Sequence, residues 1–338
     1  MMFQRIYTFI LAVAACLCAI ASDWQPDVLG DGFEMRYVDQ GIDYSGPVRS
    51  TIVRLRSECS QGVGVLYVHG FNDYFFQAEM ARRFTSHCYD FYAVDLRKYG
   101  RSIMDGQQKF QVHNLREYFA DIDSALVQMQ ADGISRVILM GHSTGGLITS
   151  LYMAANPAPA VCALVLNSPF LDWNQSKFQE RVLIPAVRSV SSLAKGLKIP
   201  QGDDDGYARS LLSSLGGEWD YDTDWKLIHS PAVEASWLAA IDEAHDVVQN
   251  NPGIVVPILL MHSDRSYGHA DGARYDNSDA VLDVDDISSY GRGLGFNVTE
   301  ITVRGGLHDL ALSAPDVRAA MFDYLFDWLQ KVAPANLP

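Results

Sequence analysis

The sequence predicts an α/β protein: a doubly wound, mainly parallel sheet with helices on both faces and a helical cap insertion. Three observations predict it. Short apolar runs such as "GVGVLYVHG", "RVILMG" and "ALVLNS" show no polar alternation, as expected of strands buried on both faces. Segments of helical periodicity separate most of these runs, the pattern of crossover connections between parallel strands. The alternation breaks once, over residues 172–251, which is too long for a plain loop and reads as a cap within a single domain spanning 22–338.

Taken in order, "FEMRYVDQ" and "STIVRLRS" read as two opening strands joined by a turn at Asp43-Tyr44-Ser45-Gly46-Pro47. "GVGVLYVHG" is the first buried strand, followed by a helical segment at 76–84 and the strand "YDFYAVDL". In "LREYFADIDSALVQMQADG", Leu115, Phe119, Ile122, Leu126 and Met129 recur at steps of four and three, and Gly133 ends that amphipathic helix. "RVILMG" and "ALVLNS" follow with a helix between them. After the cap, "KFQERVLIPAVRSVSSLAKGL" and "PAVEASWLAAIDEAHDVVQ" being its helical patches, come the strands "VVPILLMHS" and "VTEITVRG" and the helix "PDVRAAMFDYLFDWLQKV".

Before the domain stands "MMFQRIYTFILAVAACLCAIAS". One basic residue, Arg5, precedes an apolar run that ends in the A-x-A triplet Ala19-Ile20-Ala21, so residues 1–21 read as a secretory signal peptide and the protein as secreted or periplasmic. Two other readings of the same residues are a lipoprotein box, Val13-Ala14-Ala15-Cys16 with lipid on Cys16, and an uncleaved membrane anchor. Of five cysteines, Cys59, Cys88 and Cys162 lie outside this leader. Cys162 sits in an apolar run and reads as a small buried hydrophobe. Cys59 and Cys88 each precede a core strand, and a disulfide joins them if those strands are neighbours. Neither paired CxxC nor a His/Cys cluster marks a metal site. A net charge of −15 without a Lys/Arg cluster argues against a nucleic-acid partner.

Open parallel sheets bind ligands at the carboxyl ends of their strands, and four polar signals fall there. Ser143 follows "RVILM" inside Gly-x-Ser-x-Gly, where a tight turn raises a nucleophilic hydroxyl above the sheet beside a helix N-terminus. His69-Gly70-Phe71-Asn72 follows "VLYV"; the backbone N–H groups of Phe71 and Thr144 are the candidate oxyanion donors. His308, after the last strand and the Gly305-Gly306 pair, is the candidate general base. The orienting acid is Asp279 or Asp264. Asp279 is favoured because the Val281-Leu282 pair just beyond it can pack down while its carboxylate turns back toward the histidine; Asp264 would instead hold its loop through Arg265 or a local turn.

The order Ser143, Asp279, His308, together with "GHSTGG", "VHGFND" and "YAVDLRKYGRS", resembles the α/β-hydrolase fold, and more narrowly its serine aminopeptidase-like branch, which includes monoacylglycerol lipases and lysophospholipases. The resemblance runs from about Gly62 to Val332. It implies a cap over the site, no cofactor and no metal. "SDAVLDVDDISSYGRGLG" looks like the segment that begins with that branch's acid. Two departures stand out: the long stretch "RSYGHADGARYDN" before the acid, and Lys98-Tyr99-Gly100 where relatives carry glycine directly after the arginine.

The expected activity is therefore serine-dependent hydrolysis of carboxylic esters such as monoacylglycerols or lysophospholipids, through an acyl-enzyme. Phe178, Val182, Leu183, Ile184, Trp225, Trp237 and Leu238 of the cap are candidates for an acyl site or for cap packing, and lipid-surface contact through the cap fits such a substrate. An aminopeptidase of the same fold needs a cap carboxylate for the substrate amine, for which Glu180, Glu218, Glu234 and Glu243 are available. Dehalogenase and epoxide hydrolase chemistry needs an aspartate where Ser143 stands. A hydrolase-like protein that only binds a ligand is the alternative outside enzymology.

Overall fold

The computed structural model describes residues 22–155, 158–174, 188–189, 196–202, 204–268 and 272–335. The leader 1–21 with Cys16, and the cap residues Phe178, Glu180, Val182, Leu183 and Ile184, lie outside them.

Strands β1 (Gln25–Pro26), β2 (Glu34–Asp43), β3 (Gly46–Leu55), β4 (Val63–Val68), β5 (Asp90–Asp95), β6 (Arg136–His142), β7 (Val161–Asn167), β10 (Ile258–Ser263) and β11 (Val298–Val303) form one sheet. Its order is β1-β2-β3-β5-β4-β6-β7-β10-β11. The β1–β2, β2–β3 and β3–β5 pairs are antiparallel and the rest parallel. The parallel strands lack polar alternation because each splits its side chains between two cores. Leu66, Val68, Leu139, Leu164, Leu166 and Leu260 face one core, covered by α2 (Phe119–Ala131), α3 (Thr144–Ala155) and α5 (Ala235–Val248). Val65, Tyr67, Ile138, Met140, Val165, Leu259 and Met261 face the other, covered by α1 (Ala78–Ser86) and α7 (Pro315–Val332). The chain runs from β4 outward to β5 and returns to β6 on the opposite side of β4. The loops after β4 and β6 therefore leave in different directions, and the crevice between them is the topological switch point.

The stretch read as a helical cap, 172–251, differs from that reading in its described part. It contains a two-stranded ribbon, β8 (Lys198–Ile199) with β9 (Val233–Glu234), a short helix α4 (Gly206–Leu211) and irregular chain. Its last element, α5, packs into the main core through Trp237, Ala240, Ile241, Ala244 and Val248. A two-residue strand leaves no periodic run. A helix covering a sheet shows the same apolar stripe as one covering a cap, so spacing could not separate these cases. The first helical patch, 177–197, lies mostly outside the described residues.

The "DLRKYGRS" motif works as scaffold. The carboxylate of Asp95 accepts the N–H groups of Phe75 (2.9 Å) and Arg101 (3.0 Å), and Arg101 pairs with both Asp95 (2.9 Å) and Asp27 (2.6 Å). Lys98, directly after Arg97, is buried against Asp43 at 2.7 Å and pins the β2–β3 turn, and Tyr99 packs on the His69 ring.

Cys59 and Cys88 form a disulfide, as the adjacency of β4 and β5 allows, and Cys162 is half-buried. The bridge spans 29 positions of sequence. Replacing both cysteines by serine should lower unfolding stability by about 3 kcal/mol. Urea denaturation of the oxidised protein beside the double variant checks this; coincident midpoints would show that the bridge contributes nothing.

Candidate active site

Ser143 occupies the single residue between the end of β6 and the start of α3, with φ at +53°. This left-handed backbone is strained for a non-glycine residue and persists only where surrounding bonds over-determine it. Its N–H donates to the carbonyl of Asn167 (3.0 Å), and its own carbonyl accepts from Gly146 (2.9 Å), Leu147 (3.2 Å) and Phe170 (3.0 Å). Two glycines let neighbouring backbone close in. A Cβ on Gly145 would collide with the carbonyl oxygens of Val68 and His69, and one on Gly70 would lie 2.9 Å from the Cβ of Ser143. The elbow and the loop after β4 are thus in backbone contact.

That loop carries the other half of the site. The Leu96 N–H donates to Nε2 of His69 (3.1 Å), so Nδ1 bears the proton and donates to the Gly70 carbonyl (2.8 Å). Phe71 follows. Among the described residues, the N–H groups of Phe71 and Thr144 donate to no protein acceptor, and both residues line the same cavity as Ser143. Thr144 opens α3, where backbone donors lack intrahelical partners.

His308 and Asp279 meet at 3.0 Å, Nδ1 to Oδ2, both buried. The second oxygen of Asp279 accepts the N–H groups of Val281 (2.9 Å) and Leu282 (2.8 Å). Burial alone would raise the Asp279 pKa. The His308 imidazole and the two N–H donors outweigh it and hold the group below its ordinary value. Asp264 instead accepts from the Gly305 N–H (2.8 Å) and pairs with Arg265 (2.6 Å). It shapes the histidine loop without touching the imidazole. With Nδ1 engaged, Nε2 of His308 is the nitrogen left for the cavity that Ser143 also lines.

Three further residues join the network, of which only His142 lies within a sequence motif. Asn167, at the end of β7, takes the Ser143 N–H on its carbonyl, while its side chain donates to Asp309 (2.8 Å) and accepts from the Leu310 N–H (3.2 Å). Asp309 also accepts from Gln77 (2.9 Å). The His142 ring lies tilted 4.8 Å from the His308 ring and donates through Nδ1 to the Asn167 carbonyl (3.2 Å). Burial lowers its pKa, and His308 works in the same direction against the pull of Asp309.

The cavity above these groups measures about 270 Å³. Phe71, Phe170, Trp173 and Trp237 wall one part, with ring centroids 4.7–6.3 Å apart, and Asp73, Asp204, Tyr207, Tyr221 and Lys226 line another. Of the cap candidates, Trp237 reaches the cavity. Trp225 packs on Tyr74, and Leu238 lies against the main core, so neither lines it. Glu218 pairs with Arg318 (2.6 Å), Glu234 accepts from Gln111 (3.0 Å) and Glu243 from Asn114 (3.3 Å); all three are turned to other partners, away from the cavity lining.

Similarities to known proteins agree with this geometry. Mouse epoxide hydrolase 4 is 32% identical over 139 residues, 40% of this chain; the match spans 36% of that relative's length. Two solved structures share the fold at 16% identity. A soluble variant of Saccharomyces cerevisiae monoglyceride lipase has a TM-score of 0.63 over 92% of this chain and 96% of its own. The monoacylglycerol lipase of Paleococcus ferrophilus has a TM-score of 0.61 over 85% and 99%. The sequence profile described as serine aminopeptidase, S33, matches residues 62–266, more than half of the chain and including the β4 loop and Ser143. With its sheet order, its left-handed serine elbow and that match, the chain belongs to the serine aminopeptidase S33 family of α/β-hydrolase-fold proteins.

Proposed function

We propose that the protein is a serine hydrolase of carboxylic esters that works through an acyl-enzyme on Ser143. The observation that carries the reading is the buried Asp279–His308 pair opening into the cavity that holds Ser143 and two free backbone donors. In the first half-reaction, Oγ of Ser143 attacks the ester carbonyl as its proton passes to Nε2 of His308. Asp279 fixes the tautomer and stabilises the imidazolium. The Phe71 and Thr144 N–H groups receive the oxyanion, His308 returns the proton to the departing alcohol, and a water activated by the same nitrogen then releases the acid.

The cavity favours an ester over a peptide amine. Its lining carboxylates are engaged: Asp73 with Lys226 (3.0 Å), and Asp204 with the Tyr275 hydroxyl and the Gly206 N–H. An incoming ammonium would have to displace one of these partners. The aromatic part suits an acyl group and the polar part an alcohol bearing hydroxyls or a headgroup. A monoacylglycerol, a lysophospholipid or a similar acyl ester has that division, and two fold relatives are named as monoacylglycerol or monoglyceride lipases. The protein acts outside the cytoplasm, a reading supported by the leader at 1–21 and by the Cys59–Cys88 bridge.

A chain-length series of p-nitrophenyl esters, run beside Ser143→Ala and an aminoacyl-anilide control, tests the activity. Turnover that depends on Ser143 and peaks on acyl esters is expected. Turnover confined to the anilide would make the protein a peptidase, turnover that survives in Ser143→Ala would remove Ser143 as the nucleophile, and absent turnover would leave a ligand-binding protein. On the preferred ester, Asp279→Asn should lower kcat by about four orders of magnitude through the wrong histidine tautomer. Asp264→Asn should cost less than about tenfold, since it loosens only the loop. The reverse ranking would exchange the two assignments.

A further inference from the structure

Directly after the oxyanion-loop residue Phe71, consecutive side chains grip one stretch of the cap, residues 221–227. Asn72 holds Leu227 at both backbone groups: its amide nitrogen donates to the Leu227 carbonyl (2.9 Å) and its amide oxygen accepts the Leu227 N–H (2.8 Å). Asp73 pairs with Lys226 (3.0 Å). The Tyr74 hydroxyl accepts the Asp222 N–H (2.8 Å), and its ring meets Trp225 edge-on at 5.1 Å. Phe76 packs on Tyr221 at 5.2 Å. The cap is therefore fastened to the very loop that presents the Phe71 N–H.

Asn72 also has a left-handed backbone, with φ at +49°. Asparagine tolerates this region better than most residues, yet the conformation is not its preferred one. Two hydrogen bonds to a fixed peptide restrain the side chain in position and direction, and through it the backbone immediately after Phe71. A single bond would allow rotation about itself; the two-point grip does not. We infer that Asn72 is a positioning residue that couples docking of the cap segment 221–227 to the aim of the Phe71 N–H, so that the oxyanion site is complete only when this part of the cap is seated. The inference rests on the ester-hydrolase reading and predicts an effect on the chemical step rather than on substrate capture.

The test uses the whole protein and the best p-nitrophenyl ester, after wild-type turnover and its loss in Ser143→Ala have established the reaction. Asn72→Ala should lower kcat about 100-fold, the scale of losing one oxyanion donor, with KM changed less than about twofold. Asn72→Gly accepts the left-handed backbone without strain but has no amide, so it should lose as much. Leu227→Pro removes the N–H from the cap side and leaves the loop sequence intact; it should lower kcat at least about tenfold. The double variant Asn72→Ala with Leu227→Pro should be no slower than Asn72→Ala alone, because both remove one contact. Affinity for an alkyl trifluoromethyl ketone, which places an oxyanion in the site, should fall in parallel with kcat, with thermal midpoints recorded to separate misfolding. Full activity in Asn72→Gly, additive losses in the double variant, a change confined to KM, or ketone affinity unchanged while kcat falls would each overturn the inference while leaving the ester-hydrolase reading intact.

Discussion

The architecture of this site depends on one backbone constraint: Ser143 in a left-handed conformation at the junction of β6 and α3. Turning a buried strand into a helix within one residue requires the incoming helix to lie against the neighbouring strand end, and Gly145 makes that contact with the Val68 and His69 carbonyls. The β4 loop is then forced alongside the elbow, where Gly70 lets it pass the serine side chain. The Phe71 and Thr144 N–H groups reach one cavity as a consequence, since one opens the helix and the other follows the glycine. Strain of this kind costs about 1–3 kcal/mol and is held here by four backbone hydrogen bonds to residue 143.

The same elbow is tied to the histidine loop through Asn167. A single residue accepts the Ser143 N–H on its main chain and binds Asp309 and Leu310 with its side chain, on either side of a network that continues to Gln77 on the far core. Displacing the β7 terminus would move Ser143 and the His308 loop together rather than apart. The Asp279 loop is anchored separately, through its own N–H donors and the Gly305–Asp264 contact. The serine, acid and histidine loops thus follow strands β6, β10 and β11, with the end of β7 bracing the first and last, and the sheet fixes the spacing of these strands.

Much of this was legible in the sequence because burial and backbone geometry write themselves into local patterns. Unbroken apolar runs marked the parallel strands, glycines around Ser143 marked the close approaches, and the Val281-Leu282 pair singled out Asp279, whose carboxylate those two N–H groups do hold. Asn167 and Asp309 were not legible, nor were the contacts of His142 at the variable position of the elbow motif, since each acts through partners tens to hundreds of positions away and ordinary polar residues carry no spacing signal. The packing of α5 was not legible for a related reason: it has an apolar stripe, and a stripe does not say which surface it covers. The cap's contacts with the β4 loop, such as Asn72 with Leu227, pair side chains with backbone across 155 positions and leave no mark in either segment.

Electrostatics explain how an acidic chain can bury several carboxylates around this site. Asp95 and Asp27 share Arg101, Asp121 takes Arg97 and Asp73 takes Lys226, so these four buried carboxylates each meet a cation. Asp309 is held differently, by the amides of Gln77 and Asn167 and the Ala311 N–H, with the His142 imidazole as a neighbour that helps hold its carboxyl below the ordinary carboxylate range. Two imidazoles 4.8 Å apart cannot both be protonated cheaply in a buried site. His142 gives its one N–H to a carbonyl and is kept neutral by burial, whereas His308 has a carboxylate at Nδ1. In the proposed reaction the imidazolium would form on His308, the ring that has a carboxylate at Nδ1, while burial disfavours charge on the His142 ring beside it.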